Sequence, residues 1–74
     1  MGASKVDSWE DLTVGDRVRV FVLGARNTRP DVFDIVELWV ADGLSPEASN
    51  VVAVLRGADG QLENMSARML RKVR

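Results

Sequence analysis

The 74-residue chain contains no cysteine, no histidine and no tyrosine, and only two prolines. Without cysteine there is neither a disulfide to staple a small fold nor a thiolate zinc site. Without histidine the usual neutral-pH proton shuttle and the commonest metal ligand are missing. Together these absences exclude Ser-His and Cys-His nucleophilic catalysis, and an enzyme is not expected. Aromatic side chains are scarce as well: Trp9, Phe21, Phe33 and Trp39 are the whole set. Cation–π capture of a methylated side chain needs several converging rings, and a small core needs most of these four. No stretch approaches the ~18 apolar residues of a membrane span, and Met1 to Lys5 carries no apolar signal region. A cytoplasmic protein without membrane contact is therefore expected. No phosphate-cradling glycine loop and no EF-hand run of aspartates occurs, so neither a cofactor nor a metal site is expected.

What is present is enough for one small domain. A chain of this length buries only about 60% of its unfolded surface, which predicts a thin core and modest stability. Residues 1–7 are polar and unpatterned and are expected as a disordered, frayed tail, leaving residues 8–74 as the domain. Ser8 to Leu12 reads as a single capped turn that lays Trp9 over one end of the core.

Arg17 to Leu23 alternates strictly, with Val18, Val20 and Val22 on one face and Arg17 and Arg19 on the other, which predicts a strand. Gly24 to Asp31 carries turn chemistry. Val32 to Ala41 is a long β-like run with apolar residues on both faces: Val32, Val36, Leu38 and Val40 on one, Phe33, Ile35 and Trp39 on the other. Either the strand bends and its register switches, or the second face meets another subunit. Val51 to Leu55 and Gln61 to Met65 read as two further strands, joined by a hairpin at Gly57-Ala58-Asp59-Gly60. From Ser66 to Arg74 the pattern fits a terminal helix, or a 3₁₀ turn leading into a last strand from Leu70 to Val73.

This order resembles the SH3-like small barrels, the group that includes Tudor and KOW modules. The resemblance is carried by Gly15-Asp16 before the first strand, Asp59-Gly60 in a later hairpin and Ser66 to Val73 at the end. It covers Leu12 to Val73 and implies an all-β, five-stranded barrel with a short N-terminal turn and a 3₁₀ or short helical turn before the last strand. A weaker likeness, in Gly15-Asp16-Arg17-Val18-Arg19, is to the plasmid-borne type II dihydrofolate reductases. Their substrate-binding motif, Val-Gln-Ile-Tyr, would fall on Leu62-Glu63-Asn64-Met65, where no residue matches, so that activity is not carried over.

Net charge is −1, but the charge is segregated: residues 1–29 carry +1, residues 30–50 carry −5 and residues 51–74 carry +3. The acidic carboxylates have no metal-binding spacing. Asp34 and Glu37 lie on opposite faces of a strand and cannot converge, so a solvated acidic face is expected. Pairing of first and last strands in an SH3-like fold brings Arg17 and Arg19 near Arg71, Lys72 and Arg74, with Arg26 and Arg29 on the adjoining loop. Clustered arginines suit phosphate contacts, so the sequence predicts a non-enzymatic binding module with DNA or RNA as partner. The alternative is a protein-interaction or self-assembly module whose interface is the apolar face of Phe33, Ile35 and Trp39.

Overall fold

The computed structural model describes residues 2–21, 31–45 and 47–73. Among them are eight strands, β1 (Ala3–Val6), β2 (Ser8–Trp9), β3 (Leu12–Thr13), β4 (Arg17–Val20), β5 (Val32–Ala41), β6 (Val51–Arg56), β7 (Leu62–Ser66) and β8 (Leu70–Lys72). Two 3₁₀ turns, Ala48–Asn50 and Ala67–Met69, complete the described elements, and there is no α-helix among them. The all-β class is therefore correct. The five-strand count is not, and no sheet closes into a barrel among the described residues.

Six strands form one antiparallel sheet in the order β7-β6-β5-β4-β8, with β1 also paired to β5. The ten-residue β5 is its spine: β4 pairs with Val32 to Asp34 and β1 with Leu38 to Ala41, while β6 runs along the other edge. The outermost strands, β7 and β8, are joined by the three-residue turn Ala67–Met69 alone. Four residues of chain reach at most about 14 Å, whereas five flat strands would hold their outer members about 19 Å apart. The sheet must curl, and the buried side chains of β4, β5, β6 and β8 meet on its inner side.

A β-bulge decides which residues line that interior. The register between β5 and β6 shifts between Ile35 and Glu37, so Val36 is the extra residue and side-chain parity reverses there. Phe33 and Ile35 point inward before the bulge, and Leu38 points inward after it; all three are buried. This corrects the expected interface. Phe33 and Ile35 are core residues, and of the proposed apolar face only Trp39 lies on the outside. The same reversal brings Asp34 and Glu37 to one face, where regular alternation would have separated them.

The N-terminal segment also differs from expectation. Residues 3–6 are not frayed but form β1, in register from Ala3 opposite Ala41 to Val6 opposite Leu38. The strand is held by main-chain pairing and by polar side chains, which give no hydrophobic signal. Ser4 Oγ donates to Asp42 Oδ1 at 2.6 Å, and Lys5 Nζ lies 3.0 Å from Glu37 Oε2.

Ser8 to Thr13 is a tight hairpin, β2 on β3, in place of the expected capped turn. Its Trp9 does pack against the core. The first turn residue, Glu10, has φ 54°, a left-handed conformation that disfavours a residue bearing a Cβ. Glu10→Gly is therefore expected to stabilise the fold by about 0.5–1 kcal/mol. An unchanged or lower urea midpoint would show that Glu10 is not strained.

The two glycine turns set the strands that carry the arginines. Asp16 N–H donates to Thr13 O at 2.9 Å, and Gly15 takes φ 100° as the third residue of that turn. The predicted hairpin forms between β6 and β7, with Gly60 at φ 83° and Gly60 N–H donating to Gly57 O. At the C-terminal end, the 3₁₀ turn and short strand form, not the terminal helix.

Candidate binding face

Alternation on β4 buries Val18 and Val20 and turns Arg17 and Arg19 outward. β8 pairs beside it with Arg19 opposite Arg71 and Val20 opposite Leu70, so the two arginines share the outer face. On the other side of β4, Arg17 stands opposite Asp34, and Asp34 stands opposite Arg56 of β6. The outer surface thus carries Arg17, Arg19, Arg56 and Arg71 around one carboxylate.

That carboxylate does not neutralise the group. Arg17 Nε and Asp34 Oδ1 are 3.9 Å apart, with side chains 75% and 59% exposed. An exposed pair at that length contributes little and leaves the guanidinium free to meet an anion. Arg19 and Arg71 are like charges placed directly opposite each other across a ladder, an arrangement that destabilises a sheet. A bound anion would relieve it.

Arg71 is held by contacts of its own. Its Nη1 donates to Arg68 O at 3.0 Å and to Leu70 O at 2.9 Å, and its Cζ lies 5.0 Å from the centre of the Phe21 ring. Phe21 extends β4 on the outer side and is tied to the last 3₁₀ turn, its N–H donating to Met69 O. A ring therefore lies within the arginine group, which the sequence reading did not foresee.

The other predicted cations divide. Lys72 pairs with Val18, a buried position, so its parity sends it away from the arginines. Its Nζ lies 3.3 Å from Asp16 Oδ2 and donates to Asp11 O at 3.1 Å, a strut between the N-terminal turns and β8. The structure thus places Lys72 in a tie between these elements, apart from the arginines. Arg26, Arg29 and Arg74 lie outside the described residues. Arg56 was missed. Its outward parity with Val52 and Val54 is legible in the sequence, but its place beside Asp34 and Arg17 depends on the strand order.

Further along the same face Lys5, Glu37 and Trp39 form a separate cluster. Trp39 Nε1 donates to Glu37 Oε1 at 3.3 Å, and Lys5 Nζ lies 6.0 Å from the Trp39 ring centre. The Lys5 ammonium, and then the indole N–H, hold the Glu37 carboxyl below the usual glutamate range. A carboxyl whose pKa is lowered by folding stabilises the fold fully above its ordinary value, and this is lost as pH falls through the lowered one. Glu37→Gln should therefore flatten the fall in melting temperature below about pH 4.3, the ordinary glutamate value. An acid limb identical to wild type would remove Glu37 as a contributor.

Among the described residues no group of three or more acidic side chains is placed to hold a metal ion, and no helix is long and apolar enough to cross a membrane. An open hollow of about 410 Å³ lies at the β6–β7 hairpin, lined by residues including Asp31, Asp59 and Glu63. Its acidic rim is unlike the arginine face and ill suited to anions. Compared with known proteins, the chain matches no family model, no curated protein and no solved structure.

Proposed function

We propose that the protein is a non-enzymatic binding module that takes nucleic acid on the face formed by Arg17, Arg19, Arg56 and Arg71. We assign its curled sheet to the SH3-like small barrels. The single observation that carries the functional reading is the cross-strand pair of like charges, Arg19 opposite Arg71, flanked by two more arginines with Asp34 between them. Guanidinium forks match phosphate oxygens, and several on one surface supply the sequence-independent part of nucleic-acid affinity. The pairing of β4 with β8, the Asp59-Gly60 hairpin and the 3₁₀ turn before the last strand support the SH3-like assignment. Amide shift mapping tests the site: a titrated oligonucleotide should move Arg17, Arg19, Arg56 and Arg71 and leave Lys5 and Trp39 in place. Shifts confined to the Lys5 and Trp39 region, or none at low salt, would refute it.

A protein-contact role is a second reading, favoured by one observation. Val52, 40% exposed, stands opposite the half-buried Trp39 on the outer face. Sedimentation of the protein at high concentration tests self-association through this area, and a monomer throughout argues against it.

A further inference from the structure

Resting on the nucleic-acid reading above, we infer that Phe21 and Arg71 form a stacking platform, and that the face takes single-stranded nucleic acid in preference to duplex. The Arg71 guanidinium lies over the Phe21 ring at 5.0 Å and is fixed there by the Arg68 and Leu70 carbonyls. Both carbonyls accept from Nη1, which leaves the rest of the fork and its outer plane for a ligand. Unpaired bases stack on aromatic rings and on arginine planes, whereas in a duplex the base faces are covered by their neighbours. Phosphates on the side of a stacked base away from Phe21 would meet Arg19, opposite Arg71, and then Arg17 two residues along the same strand. The surface is also the outer, convex side of a curled sheet. Among the described residues it offers no projecting helix or ribbon to enter a groove and read base edges there.

The chemistry recognised is an unstacked base with its flanking phosphates, which single-stranded DNA and RNA share. The test is fluorescence anisotropy with labelled oligothymidylate, oligouridylate and a mixed-sequence DNA duplex, each of about twelve nucleotides or base pairs. At equal salt at least one single strand should bind about tenfold tighter than the duplex. Phe21→Leu should weaken single-strand binding about five- to tenfold and leave duplex binding within a factor of two. Arg71→Lys keeps the charge and removes the plane, so its loss should be larger on single strands than on duplex, and it serves if the Phe21 variant fails to fold. Equal affinity for single strands and duplex, or equal losses on both in the two variants, overturns the platform and leaves the nucleic-acid reading standing. Binding to none of the three probes refutes the nucleic-acid reading itself.

Discussion

Arg19→Glu is expected to raise the stability of the protein while removing most of its nucleic-acid affinity. In the wild type Arg19 stands opposite Arg71 on the ladder between β4 and β8. Replacing one of two opposed like charges by a carboxylate turns a repulsive cross-strand pair into an attractive one, worth about 0.2–1 kcal/mol. On the binding side the change deletes a charge-assisted phosphate contact and adds repulsion, a loss of about 10–100-fold. The two effects have opposite signs, so a fold defect cannot imitate the predicted outcome. Urea denaturation and anisotropy on one preparation check both. A variant that binds as well as wild type would take Arg19 out of the site, and one that is less stable would remove the like-charge argument.

Leu38→Ala is expected to have the largest effect on the fold, about 2–5 kcal/mol. Leu38 is buried completely, and it reaches the interior because the bulge at Val36 reverses the parity set by Phe33 and Ile35. A chain of this length has about 4–11 kcal/mol of stability in total, so this one substitution should remove a large share of it and lower the denaturation midpoint clearly. Val36→Ala, at the bulge itself and half-buried, should cost no more than about 1 kcal/mol. Equilibrium unfolding followed through Trp9 and Trp39 measures both. If the two substitutions cost the same, the bulge is misplaced and the outer face of β5 must be redrawn.

Much of the architecture was legible because local pattern and turn chemistry agreed. The alternation Arg17-Val18-Arg19-Val20 is the burial pattern of β4, and glycine at positions 57 and 60 marks the hairpin that joins β6 to β7. Three features were not legible, each for a physical reason. β1 is held by backbone pairing and by side-chain contacts with Glu37 and Asp42, partners more than thirty residues away in sequence. The bulge shows in the sequence only as apolar residues on both faces of Val32 to Val40, a pattern that a register switch and an interface fit equally, and the interface reading placed two core residues outside. The places of Lys72 beside Asp16 and of Arg56 beside Asp34 were not legible because they depend on which strands and turns become neighbours. The segregated charge of the sequence does have a counterpart in space, but not block by block. The arginine face draws Arg17 and Arg19 from the first block, Arg56 and Arg71 from the last, and surrounds Asp34 of the acidic one.

The central claim, that this face meets phosphates, is tested most directly by the salt dependence of wild-type binding. With up to four arginine contacts, the logarithm of affinity for a single strand should fall with the logarithm of salt concentration at a slope of about −2 to −3. Arg19→Glu should make that slope shallower by about 0.7. A slope near zero, or one that Arg19→Glu leaves unchanged, would contradict a phosphate-binding arginine face.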